Sequence, residues 1–330
     1  SAGETLVKLY SDGDSSLQGP ILYAIGKLKY REAESVLTQT VAEESPLSAT
    51  AAWALAKIKP DDSTLVNDAV KRMRNQVQSE SAFERAAAAS ALSDLSDYMD
   101  ATQRQSLGIF LESMLMDTSE SVQEAAAAAI VRLGGDGVPA IRSLLKGTQT
   151  QFFALGITSA MGEPAAPAVP DIIGLLDSKD DEIVHEAILA LAAIGPASAA
   201  ASDRLLTILD DSLSNQNEVE TRLHYAAAYC LGRIGSPGAM KALPRLKELS
   251  ESSDGMQATV AIWAVLQITP NDQEQFENAV PLLTAALASE EQTVRLEAII
   301  ALGDLGSRAK DAVPAIELIS EDDPVRTIRL

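Results

Sequence analysis

The chain of 330 residues contains a single cysteine, Cys230. That count excludes a disulfide within the chain and a metal site built on cysteines. Histidine is almost as scarce, with only His185 and His224. Aromatic residues make up 4%, and the 26 lysines and arginines face 47 acidic residues, for a net charge of −21. A field of that sign repels a phosphate backbone, so no nucleic-acid partner is expected, and anionic membrane surfaces are disfavoured for the same reason. No apolar run approaches the length of a membrane helix, so no span is expected. Methionine is missing from the start, which reads Ser1-Ala2-Gly3. This fits a trimmed chain or a processed precursor, so the lack of a visible leader says little. The compartment stays open between the cytoplasm and, if a leader was removed, the periplasm or exterior. No catalytic motif is present.

What the chain has in quantity is alanine, within a 46% hydrophobic share. Alanine is the best helix former and lets helices approach closely. Length alone suggests two or three domains, but a repeat array grows without enlarging one core. One pattern, A-x-x-A-L-x-x-I-G, recurs nine times at intervals averaging about 35 residues. Its first slot holds Ile21, Ala51, Ala88, Ala126, Ala154, Ala187, Ala227, Ala261 and Ala298. Its leucine slot holds Ile25, Leu55, Leu92, Ile130, Thr158, Leu191, Leu231, Val265 and Leu302. Offsets of three and four put these slots on one helical face. Gly134, Gly162, Gly195, Gly235 and Gly306 close five of the copies as left-handed caps.

This pattern predicts nine inner helices, called B, near 17–28, 46–58, 82–95, 120–133, 149–161, 182–194, 219–234, 256–268 and 291–305. Ser45-Pro46, Ser119, Asp180 and Asp323-Pro324 read as their N-caps. Between them lie partner helices, called A, that open on A-V-P-x-I and its variants. Their prolines (Pro139, Pro170, Pro244, Pro281 and Pro314) are expected early, where a missing N–H costs least. The last stretch, Asp322 to Leu330, reads as the start of a tenth B helix, a partial repeat over 324–330. More of the array is expected beyond it.

Helix pairs of this length without strands build an α-solenoid. The A-V-P-x-I helix, the D-D-x-V-R turn and the A-x-x-A-L-x-x-I-G helix resemble HEAT repeats. More closely they resemble the short bacterial HEAT-like repeats named after phycobilisome lyases. The likeness covers roughly 17–330 and is stronger after 119 than before it. It implies one all-α, right-handed α-α superhelix of about nine helix pairs over 1–330, with no β-sheet. It specifies packing, and function only weakly.

Enzyme readings come from the resemblance. Deoxyhypusine hydroxylase, a HEAT-repeat di-iron enzyme, uses several His-Glu dipeptides; this chain has one, His185-Glu186, so that site cannot be built. HEAT-like DNA glycosylases use a basic groove, which the charge opposes. Bilin lyases of this repeat type attach a tetrapyrrole to a phycobiliprotein cysteine, usually as paired subunits, but no residues here mark a pigment pocket. The acidic pairs Asp61-Asp62, Asp180-Asp181, Asp210-Asp211 and Asp322-Asp323 are expected in turns, as caps. Cys230 fills an alanine slot as a small buried residue. No cofactor and no metal is expected.

One column stands out. Two residues before the leucine slot come Tyr23, Trp53, Ser90, Ala128, Gly156, Leu189, Tyr229, Trp263 and Ile300. Helical geometry turns this slot away from the A helices, toward the expected concave surface. Phe152, His185 and Tyr225 lie one turn earlier on the same side. The rings either wedge between neighbouring B helices or line a groove that grips a partner. The expectation is a non-enzymatic scaffold whose concave face binds a protein through Tyr23, Trp53, Phe152, His185, Tyr225, Tyr229 and Trp263. Its partner would be a basic or extended segment. The alternatives are a bilin-lyase relative and a structural spacer in a longer polypeptide.

Overall fold

The computed structural model describes residues 2–12, 15–43, 45–211, 218–322 and Val325. Among them every regular element is an α-helix or a 3-10 turn, and none is a strand. They form two compact units, 1–144 and 145–330. The partial repeat over 324–330 and the cap at Asp323-Pro324 lie outside the described residues, apart from Val325.

The first unit holds α1 (Ala2–Asp12), α2 (Gln18–Leu28), α3 (Glu34–Ala42), α4 (Ser48–Ile58), α5 (Ser63–Gln76), α6 (Ala82–Leu95), α7 (Ala101–Glu112), α8 (Glu120–Arg132) and α9 (Val138–Leu144). The second holds α10 (Gln151–Met161), α11 (Val169–Ile173), α12 (Asp181–Ile194), α13 (Ser202–Asp211), α14 (Glu218–Ile234), α15 (Leu243–Leu249), α16 (Gly255–Ile268), α17 (Gln273–Ala286), α18 (Gln292–Leu305) and α19 (Val313–Asp322). The even-numbered helices carry the A-x-x-A-L pattern; the odd-numbered ones are their partners. Within each unit, successive even-numbered helices pack side by side.

The packing explains the alanines. Ala51, Ala88, Ala126, Ala154, Ala187, Ala227, Ala261 and Ala298 all have no exposed surface. A slot that closed holds one methyl group, and a larger side chain would force the helices apart at a cost of ~1–3 kcal/mol. The leucine slot fills the space beside them, with Ile25, Leu92, Ile130 and Leu191 fully buried.

The five closing glycines all have positive φ. Three of them differ from the left-handed cap that the sequence suggests. Gly162, Gly195 and Gly306 combine φ of 67, 74 and 54° with ψ of −137, −134 and −128°. That region is essentially closed to residues with a Cβ. The chain then runs through a 3-10 turn, as at Gly195–Ala201, straight into the next odd-numbered helix.

Pro281 departs from expectation. Asp272 caps α17 by accepting from the Gln275 N–H, and the helix runs unbroken from Gln273, so Pro281 falls in its interior. The capped start replaces the 3-10 turn that places Pro139, Pro170, Pro244 and Pro314 early in their helices. Ser45-Pro46 also falls short of its helix: α4 begins at Ser48, and the Ser45 hydroxyl accepts from the Leu47 N–H within the turn. Ser119 stands at the N-cap of α8 without a capping bond; its own N–H donates to Asp117. Asp180 and Asp62 cap as the sequence suggests. Asp210 and Asp211 end α13 instead of lying in a turn.

The motif arginine clamps the turn before its helix. Arg85 donates to the carbonyls of Ser79 and Glu80 and, through Nε and Nη2, to both oxygens of Asp117 at 2.7 Å. Arg295 donates likewise to the carbonyls of Ser289 and Glu290. The stretch 181–210 meets the length and composition of a membrane helix, which the sequence reading did not anticipate. It is broken at Gly195 between α12 and α13, and the inward sides of both helices form core.

Candidate functional site

The aromatic column occupies the exposed side of the even-numbered helices, with two exceptions. Tyr23, Ser90 and Ala128 in the first unit are exposed, as are Gly156, Tyr229 and Ile300 in the second, and Leu189 is partly so. Trp53 and Trp263 are buried, at 1% and 5% exposure. Of the two readings the sequence left open for these rings, wedging between helices is the one this burial fits, and only an edge of Trp263 reaches a cleft.

Their burial has one cause in both units. The Trp53 ring stacks on Tyr23 of the preceding even-numbered helix, centroids 5.1 Å apart and planes 6° from parallel. The Trp263 ring stacks on Tyr229 at 5.1 Å and 17°. Each indole also lies across a glycine three residues after its tyrosine. A Cβ on Gly26 would fall 2.9 Å from Cε3 of Trp53, and one on Gly232 2.9 Å from Cε3 of Trp263. Tyrosine and glycine thus form one seat, repeated in two units. The spacing Tyr-x-x-Gly in both copies was the sequence signal for it.

A third helix completes each seat with an aspartate two residues after its leucine slot. In the second unit, Trp263 Nε1–H donates to Asp304 at 3.0 Å. In the first, the equivalent Asp94 is drawn to cations instead. Lys27 lies 2.6 Å from it, Arg132 3.6 Å and the buried Lys57 3.8 Å. Trp53 Nε1–H is left buried without a partner. Lys27 sits over both rings, 5.3 Å from the Tyr23 centroid and 5.7 Å from that of Trp53. Lys57 stands 5.7 Å from Trp53. Hydrogen bonding to Asp94 holds the Lys27 ammonium above its usual pKa, against the opposing effect of burial.

The second unit arranges its charges differently. Arg233, in the place of Lys27, donates to the Ala192 carbonyl on the preceding even-numbered helix. Gln267 stands where Lys57 does. A small cleft of about 20 Å³ opens beside the stack, lined by Tyr229, Thr259, Val260, Trp263, Glu297, Ile300 and Ala301. Burial pushes the Glu297 carboxyl above the usual range. Tyr229 and Ile300 remain 38% and 47% exposed at its rim.

The other predicted site residues lie at equivalent positions on three successive even-numbered helices, α10, α12 and α14. Phe152, on α10, is 57% exposed. His185, on α12, has Nδ1 3.4 Å from Glu186 Oε1. Tyr225 donates its hydroxyl at 2.6 Å to Asp254, the residue that caps α16, so it joins two helices. Burial and that carboxylate push its phenol upward. Cys230 is fully buried and its thiol is likewise pushed up by burial, which leaves it inert at neutral pH. No cluster of three metal-ligating side chains occurs among the described residues.

The sequence matches no protein-family profile and no curated protein. Solved structures resemble it in fold. A karyopherin bound to the extreme C-terminus of a protein phosphatase is similar with a TM-score of 0.59 at 13% identity. The match covers 98% of this chain and 41% of that one, so the chain spans about two fifths of the karyopherin. A karyopherin bound to a SUMO protease is similar with a TM-score of 0.56 at 14% identity, over 99% and 39% of the two chains. The CpcE–CpcF complex of phycocyanin lyase from Nostoc sp. gives a TM-score of 0.48 at 21% identity, over 66% and 81%. The chain has the all-helical, HEAT-like solenoid fold.

Proposed function

We propose that this chain is a non-enzymatic scaffold that holds a protein partner on the exposed side of its even-numbered helices. The observation that carries the reading is the apolar side chains left standing on that side in each unit. Tyr23 is 51% exposed in the first unit, and Phe152, Tyr229 and Ile300 are 57%, 38% and 47% exposed in the second. Tyrosine over a rigid seat is a low-entropy anchor, the kind that dominates interfaces. Here the buried tryptophans fix the tyrosines in place from beneath. The karyopherins that share the fold are bound to the extreme C-terminus of a protein phosphatase and to a SUMO protease. The net charge of −21 favours a partner with a basic surface.

The test compares partner capture by the wild type, by Tyr23→Ser/Tyr229→Ser/Ile300→Ser, and by Ile109→Ser/Leu282→Ser. The last pair changes exposed apolar residues on odd-numbered helices α7 and α17. Loss of a captured protein in the first variant only, with unchanged melting, supports the reading. Loss in the second variant only contradicts it.

A further inference from the structure

The two Tyr–Trp seats carry the same geometry and opposite electrostatics. In the first, the chain sets its own ammonium on the rings: Lys27 lies within 6 Å of both centroids, with Asp94 as its counter-ion. The first seat therefore shows what a Tyr–Trp stack beside a carboxylate accommodates. In the second, no cation stands over the stack among the described residues. Arg233 is turned to the Ala192 carbonyl, and Gln267 replaces the second lysine. The carboxylate is present nonetheless. Glu297 borders the same cleft as Tyr229, Trp263 and Ile300, and no ion pair involves it among the described residues.

A carboxylate half withdrawn from water beside aromatic faces is costly unless a cation meets it. The cleft has room for only about 20 Å³, so a guest must lie across its mouth, between the exposed Tyr229 and Ile300, and cannot be inserted end-on. Guanidinium is planar, weakly hydrated, stacks on aromatic faces and pairs with carboxylates; ammonium does none of the first three.

We propose that the cleft between α14, α16 and α18 is an arginine subsite: a guanidinium from the partner protein lies over Tyr229 and pairs with Glu297, its stem against Ile300. This deepens the scaffold reading and rests on it. Asp304 is already engaged by the Trp263 N–H, which leaves Glu297 as the carboxylate available to the incoming group. The first seat takes no such guest, because Lys27 and Lys57 already occupy its rings.

The experiment uses the full chain, isotope-labelled, titrated with a capped alanine–glycine heptapeptide carrying one central arginine. The same peptide with citrulline keeps the shape and removes the charge. The arginine peptide is expected to shift the Ile300 methyl and the Trp263 indole N–H saturably. The citrulline peptide and the Glu297→Gln variant should bind at least about fivefold more weakly. The Trp53 indole should not move. Equal shifts from both peptides, or shifts untouched by Glu297→Gln, overturn the proposal. If the arginine peptide fails while partner capture still depends on Tyr229 and Ile300, the subsite is wrong and the scaffold reading survives. If both fail, the scaffold reading falls with it.

Discussion

Trp263 rests on Gly232 so closely that the two residues can only have been matched. A Cβ added at Gly232 would meet Cε3 of the indole at 2.9 Å and Cα of Ala264 at 3.0 Å. Gly232→Ala therefore exchanges a helix-propensity gain of ~1 kcal/mol for overpacking of ~1–3 kcal/mol, and destabilisation is expected. Gly156→Ala is the control. It lies within α10 with nothing within 4 Å of its Cβ position, so the same change should stabilise by ~0.5–1 kcal/mol. Guanidinium titration of both variants reads the opposite signs.

Asp94 gathers three cations, and one of them, Lys57, is 8% exposed. Asp94→Ala leaves that ammonium buried without an anion, and a loss of ~2–3 kcal/mol is expected. Lys27→Met should cost less, since Lys27 is 44% exposed and water replaces its partner. A larger loss from Lys27→Met than from Asp94→Ala would contradict the assigned roles.

Asp117 is held below the ordinary aspartate range by hydrogen bonding to Arg85. A depressed carboxyl stabilises the fold above its unfolded pKa of ~4, and that contribution is lost as pH falls through the lower folded value. Melting of wild type and Asp117→Asn should differ at pH 7 and converge near pH 2. A gap that persists unchanged in acid would show that the residue acts through shape alone.

Glu297 has the opposite sign. Burial raises its carboxyl, so the folded state favours the proton and is penalised at neutral pH. Glu297→Gln should melt no lower than wild type at pH 7, with the difference closing as pH falls into the carboxylate range. A variant that melts lower at neutral pH would mean that Glu297 is needed by the fold and is not reserved for a ligand.

Most of the fold was legible in the sequence. Alanine and leucine at offsets of three and four located each even-numbered helix to within about two residues, because close helix packing admits few other residues in those slots. The column's outward direction also followed from helical geometry. The burial of Trp53 and Trp263 did not. A helical wheel places a side chain relative to its own axis, whereas these rings are covered by the tyrosine and glycine of the helix before. Pro281 was misplaced because its V-P-L-L stretch imitates the other copies, while the decisive residue, Asp272, lies nine positions earlier. The difference between the two seats depends on where Lys27 and Arg233 point, and position alone does not give that.

A photo-crosslinking phenylalanine analogue at residue 229, on the exposed side of α14, or at residue 282, on α17, locates the binding face. A partner held on the even-numbered helices should give adducts from 229 and none from 282. Adducts from 282 with none from 229 would contradict it, and would move the binding face to the odd-numbered helices.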